Sequence, residues 1–467
     1  MARINTNIPS LQAMTRLGKN NADLNTHLER LSSGLRINRG KDAPAGLIAS
    51  ETLRSEIEGI RQGLENTSRA DNVINTAEGA LSEVSSLLLE LQSLTNEAAN
   101  TGALSRQEIE ANQLQVDSIL NSINRISNTT QFNGVKLLNG GLDYITSGVA
   151  STAIDTLQIN ATKLPDNGYN TITVQVTGSA QLAQVDFAGA GVGTSAVTIE
   201  ISGNEGTEQL SFAAATANSA VAFAVNQLKE STGISAIASA GGVRFNSTVY
   251  GESQFVSVKT LEGSFANGKD FGQDATVSIN GAEASVDGLK ASVRSGDLDV
   301  ELQLDSAFGT TVSTAGTSFS IIGGGAKFQI GSRVNRAGQI QIGVTSVATT
   351  KLGNEVVGFL STVGSGGENS LVGGNTIQAQ KIITEAIRQT STIRGRLGAL
   401  QKNVLETNIN SLNVALENVT ASESAIRDAD FAAETASLTR AQILVQANTS
   451  VLAQANANPQ NVLSLLQ

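Results

Sequence analysis

Residues 42–102 read DAPAGLIASETLRSEIEGIRQGLENTSRADNVINTAEGALSEVSSLLLELQSLTNEAANTG, and their periodicity decides the architecture. Apolar side chains recur at Leu53, Ile57, Ile60, Leu64, Ile74, Ala77, Leu81, Val84, Leu88, Leu91 and Ala98. Most of these steps are three or four residues, which places one stripe along a helix over about 45–100. At about 1.5 Å per residue, such a helix is a rod of roughly 80 Å. Asp42 is a candidate N-cap, and Pro44 is tolerated in a first turn. Gly102 ends the rod, and Ser105 with Glu108 makes a capping box for another helix over about 105–128.

Working outward, the same spacing continues in both directions. Upstream, Met14, Leu17, Leu24, Leu28, Leu31 and Leu35 fall at heptad spacing, a coiled-coil seam with Asn21 at one position. Far downstream, 376–428 has no Pro and repeats Ile383, Ile387, Ile393, Leu397, Leu400, Val404, then Ile409, Leu412, Leu416, Val419 and Ile426. The register slips by about one residue between Val404 and Ile409, so a local stutter is expected there. Two matched rods flanking an insertion pair most simply as an antiparallel bundle. The final stretch, 442–467, has no charged side chain, and its apolar residues are Ile443, Leu444, Val451, Leu452, Val462, Leu463, Leu465 and Leu466. A lone solvated helix serves those residues poorly, so both ends are candidates for folding on association.

Composition separates the middle from the ends. Net charge is −11; residues 141–375 carry 11 Lys+Arg against 20 Asp+Glu, whereas the flanks are near neutral. Apart from Phe431, every Phe and Tyr lies between 132 and 359. Alternation in the middle, at Ile172, Val174, Val176, at Val197, Ile199, Ile201, at Val256, Val258 and at Leu298, Val300, Leu302, predicts strands. Asn-Gly pairs at 133–134, 139–140, 167–168, 267–268 and 280–281 predict turns. One helix is expected over 217–231, with Ala220, Phe223, Ala224 and Leu228 on one face. The expected fold is therefore mainly α, a long-helix coiled-coil bundle formed by both chain ends, with an inserted β-rich α+β outer region. The divisions expected are 1–45 with 430–467, 46–140 with 376–429, and an outer insertion of two lobes over 141–375.

The acidic balance argues against nucleic acid as a partner. The amino terminus lacks the apolar run and cleavage site of a Sec-type signal, and no run is long enough to span a membrane. With one His and no Cys, a His-based zinc site or a catalytic triad is excluded by count, so no enzyme activity, metal or cofactor is expected. His27 sits at heptad spacing beside Leu24 and Leu28, which gives it a structural reading. The glycine runs at 189–194, 323–325 and 364–367 lack the Lys-Ser/Thr of a phosphate loop and read as turns.

INTNIPSLQA, LERLSSGLRINRGKDAPAGLIAS, TQFNGVKLLNG, ASESAIRDADFAAETASLTRAQIL and SVLAQANANPQNVLSLLQ resemble the terminal signatures of bacterial flagellins. AFAVNQLKESTGISA and DATVSINGAEA resemble the insertion module of flagellins and hook-associated proteins. The resemblance implies a secreted subunit that polymerises with itself into the extracellular flagellar filament. It implies export in an unfolded state through the flagellar type III machinery, with an export chaperone, and contact with hook-associated junction and cap proteins. The terminal helices would line the inner tube, with subunit-interface positions at Leu17, Leu24, Leu28, Leu31, Leu35, Ile443, Leu444, Val451, Leu452, Val462, Leu463, Leu465 and Leu466. The hairpin at 132–140 would belong to the switch between protofilament forms.

The family's innate-immune contact positions fall on Glu90, Leu94, Gln115 and Ile119. Only Leu94 keeps the family residue, and Glu90 replaces an Arg, which implies weak recognition. Asn-x-Ser/Thr triplets at Asn128, Asn160 and Asn246 are candidate sugar acceptors, with exposed Ser/Thr of the middle an alternative. A junction protein sharing the terminal helices is the nearest rival; NPQNVLSLL and RDADFA favour the filament subunit. An adhesive surface over 141–375 is a rival of another class.

Overall fold

The computed structural model describes residues 6–165, 168–239 and 241–464. Helices occupy both ends. They are α1 (Ile8–Ser33), α2 (Pro44–Ala98) and α3 (Arg106–Thr129), then α4 (Asn218–Gln227) in the middle, and α5 (Thr376–Leu400), α6 (Thr407–Arg427) and α7 (Phe431–Ser464). Between α3 and α5 the chain is β-rich. Its contacts form two compact units, 1–70 with 329–339 and 402–467, and 71–328 with 340–401.

In the first unit, Asn7 Oδ1 accepts the Ser10 N–H at 3.2 Å and starts α1; Gly34, at φ 73°, ends it. Leu35 therefore lies beyond the helix and bridges to Asp428. Asp42 does not cap α2. Its Oδ2 accepts the Asn38 and Arg39 N–H groups at 3.2 and 2.8 Å, because those donors of the preceding turn are within reach of so short a side chain. Along α2, Ile57, Ile60 and Ala70 are buried. Gly59 and Gly63 admit the backbone of 330–332; a Cβ on Gly59 would stand 2.6 Å from the Ser332 carbonyl oxygen. A mid-helix glycine costs up to about 1 kcal/mol against alanine, and the close approach is what it permits. Ile330 is buried there, and Asn408 Nδ2 of α6 donates to Ile330 O at 2.9 Å and to Thr67 Oγ1 at 3.1 Å. Apolar periodicity does not reveal this docking; two glycines four residues apart inside a helix were its signal.

In the second unit, Ile74, Ala77, Leu81, Val84, Leu88, Leu91, Leu94 and Ala98 of α2 are buried, as are Val116, Ile119, Leu120 and Ile123 of α3. The expected capping box is present: Ser105 N donates to Glu108 Oε2 at 2.6 Å, and Glu108 N to Ser105 Oγ at 3.3 Å. Arg394 of α5 reaches Glu78 of α2 at 2.7 Å, and Gln401 reaches Asn75 at 2.9 Å, which fixes an antiparallel run. Gln401–Glu406, between α5 and α6, is π-helical. A π turn takes in one extra residue, which accounts for the register slip before Ile409. Asn133 and Gly134, at φ 48° and 81°, form the two-residue loop pairing Phe132 with Val135.

The β-rich segment is nested. One lobe sets a five-stranded sheet containing Asn170–Gly178, Thr276–Ile279 and Ser313–Gly324 with a four-stranded sheet containing Ile154–Thr162 and Leu298–Leu304. Its core includes Ile172, Val174, Val176, Val300, Leu302 and Phe319. The second lobe is inserted within the first. Its two sheets and α4 enclose Val197, Ile199, Ile201, Phe245, Val256 and Val258. The chain enters and leaves it at one point, where Gln181 and Gln273 exchange backbone hydrogen bonds of 2.8 and 2.9 Å.

Two local expectations are corrected. α4 buries Val221, Ala222 and Val225, while Phe223 is exposed. The helix is apolar nearly all round, so periodicity alone could not choose the face. Asn280-Gly281 makes a turn, with φ 53° and 80°, but Asn267-Gly268 does not. Gly268 begins a strand, and Asn267 Oδ1 accepts the Thr260 N–H at 2.7 Å. Asn167 lies outside the described residues.

Candidate assembly surface

α1 and α7 pack antiparallel. Asn7 Nδ2 donates to Ala455 O at 2.8 Å, Ser10 Oγ to Asn456 Oδ1 at 2.8 Å, and His27 Nδ1 stands 2.6 Å from Glu434 Oε1. The Arg30 guanidinium lies 3.9 Å from the same carboxylate. The single imidazole is thus part of a contact between helices, with the partner 407 positions away in sequence.

Along this contact α1 buries Ala13 and half-buries Leu17, Leu24 and Leu31. α7 buries Ala441 and Ala455 and half-buries Val445, Asn448 and Leu452. Steps of four, three, four and three put those five on one stripe. Selecting bulky apolar residues misses Ala441 and Ala455. They stand two heptads apart with Asn448 midway, and that repeat of short side chains was the available signal.

Other bulky residues are uncovered. Ile443, Leu444 and Val451 of α7 are between 44 and 61 % exposed, and Ile8, Leu11, Met14 and Leu28 of α1 are also exposed. The expected interface residues therefore divide. Leu17, Leu24, Leu31 and Leu452 are half-buried in the chain, Leu35 is held near Asp428, and Leu28, Ile443, Leu444 and Val451 are left uncovered. The side chains of Val462, Leu463, Leu465 and Leu466 lie outside the described residues. Ile443, Leu444 and Val451 thus stand exposed on a segment that carries no charged side chain.

Of the four immune-contact positions, Leu94 and Ile119 are core residues and Glu90 and Gln115 are exposed. The sugar-acceptor triplets separate the same way. Asn160 and Asn246 are buried, with Asn160 Nδ2 donating to Asp299 at 3.0 Å, so neither can take a glycan in the folded chain. Asn128 is exposed. Among the described residues no helix is long and apolar enough to cross a membrane.

The family model for the bacterial flagellin N-terminal helical region matches residues 4–142, and that for the C-terminal helical region matches 380–466. The chain is similar to a flagellin of Salmonella typhimurium, at 30% identity over 99% of both chains. It is also similar to flagellin A of Vibrio anguillarum at 31%, over 99% of both chains, and to the B-type flagellin of Pseudomonas aeruginosa at 32%, again over 99% of both. Matched at both helical ends and along almost its whole length, the chain belongs to the bacterial flagellin family.

Proposed function

We propose that this structural subunit of the extracellular flagellar filament polymerises through the uncovered apolar face of its α1–α7 pair. The observation that carries the proposal is the division of α7 into two faces. One, built on Ala441, Val445, Asn448, Leu452 and Ala455, packs on α1; the other, with Ile443, Leu444 and Val451, is exposed. In a filament the second face would meet neighbouring copies and form the inner tube. Around it, α2, α3, α5 and α6 would make a coiled-coil bundle, and the acidic β-rich segment would project outward. Export as an unfolded chain through the type III machinery, helped by a chaperone, and folding beneath a cap protein beyond the hook-associated junction proteins complete the reading. The absence of Cys suits that passage, because no disulfide can trap the chain in transit.

The face is tested by Ile443→Asp with Val451→Asp. Both side chains are exposed in the chain, so the variant should keep its helical circular dichroism and its melting temperature. It should form no filaments at concentrations at which the unaltered chain polymerises fully. Filaments of normal length from the folded variant would refute the proposal.

A further inference from the structure

We propose that Met14 is an oxidation-sensitive site on the assembly face, where one oxygen atom taken from a peroxide blocks polymerisation. The chain has no Cys and no Trp, and two Met, so its readily oxidised side chains are the thioethers of Met1 and Met14. Met14 is 60 % exposed. It follows Ala13, which is buried against α7, and it stands one turn from Leu11 and two from Ile8, both exposed. The one internal thioether of the chain is thus placed in the apolar row left uncovered on α1, open to small solutes in the single subunit.

The chemistry needs no protein catalyst. A sulfur lone pair attacks one oxygen of hydrogen peroxide, the O–O bond breaks, a proton passes to the departing oxygen, and water leaves. The thioether becomes a sulfoxide and the peroxide is reduced. An apolar, flexible side chain is converted into a polar one with a strong acceptor oxygen. Burying that oxygen with no donor opposite it carries the penalty of any unpaired polar group. The inference rests on the reading that this face is covered by neighbouring copies. It adds that oxidation acts on subunits before assembly, since the filament shields the sulfur, and that a methionine sulfoxide reductase restores them.

The test uses the full chain, as monomer and as filament, with dilute hydrogen peroxide. Trypsin cuts after Arg3 and Arg16, so the peptide INTNIPSLQAMTR reports Met14 free of Met1. The expected result is rapid gain of one oxygen on that peptide in the monomer, slow gain in the filament, and a rise of about tenfold in critical concentration after monomer oxidation. Met14→Leu should polymerise normally with or without peroxide. Unchanged polymerisation after complete oxidation of Met14, or equal oxidation rates in monomer and filament, overturns the proposal. Met14→Asp separates the two layers. If it polymerises normally the assembly reading of this face falls as well; if it is blocked while oxidised subunits still assemble, the oxidation proposal alone falls.

Discussion

Arg388 of α5 ties two carboxylates together. Its Nε and Nη2 reach Glu385 at 2.8 and 2.7 Å, and Nη1 lies 3.9 Å from Glu301, which also receives Lys290. Burial pushes the Glu385 carboxyl up, but the hydrogen bonds and charge of Arg388 outweigh it and hold the group below its usual range. A carboxyl depressed in the folded state contributes stability above its unfolded pKa of about 4.3, and that contribution is lost as pH falls through the lower folded value. Without Arg388, burial is left to act with little opposition. In Arg388→Met the acid-unfolding midpoint should therefore move up by about half a unit, measured by circular dichroism against pH. An unmoved midpoint would show that the pair contributes nothing. Contacts of this kind were not legible in the sequence. Glu301 and Arg388 are separated by the rest of the β-rich segment, and His27 finds Glu434 only because two helices at opposite ends of the chain run antiparallel.

Helices were legible because their signals are local. The stripe of α2, the Ser105–Glu108 box and the slip before Ile409 each involve residues within a few turns, and each appears where the spacing put it. Alternating strands were legible for the same reason. Their pairing was not: Asn170–Gly178 lies between Thr276–Ile279 and Ser313–Gly324, partners about a hundred residues away or more, and the period of a strand says nothing of its neighbour. The π segment permits a direct experiment. Deleting Asn403 should turn Gln401–Glu406 into ordinary helix and leave the buried stripe of α5 in phase with the half-buried Ile409, Leu412, Leu416 and Val419 of α6, with the melting temperature within about 4 °C of the parent. Deleting buried Ala386 instead rotates everything after it by one position and should abolish cooperative unfolding. Equal losses from the two deletions would mean the extra residue is not what absorbs the slip.

At the scale of the whole molecule, net charge and aromatic residues are unevenly spread along the sequence. The acidic excess and nearly all Phe and Tyr belong to the β-rich segment, whose two lobes each close on their own core. That the ends belong together was legible from their matched lengths and the signatures at both termini. Which face of each terminal helix is used inside the chain was not. Alanine carries little weight in any hydropathy pattern, and here Ala13, Ala441 and Ala455 are the residues buried at the inner contact.

The charge-free stretch beginning at Gln442 has a thermodynamic consequence. On the proposed assembly, joining subunits through this stretch would form no ion pairs along it and would release ordered water from Ile443, Leu444, Val451 and their neighbours, a process that is entropic near room temperature and lowers the heat capacity. Such an association weakens in the cold. The critical concentration should therefore rise on cooling toward the freezing point and change little between low and moderate sodium chloride, as light scattering can follow. A steep salt dependence with no cold weakening would assign the driving force to charged side chains elsewhere. On this expectation, a filament of this chain is held at its centre by the reluctance of water to solvate the ends of its subunits, and chilling alone loosens it.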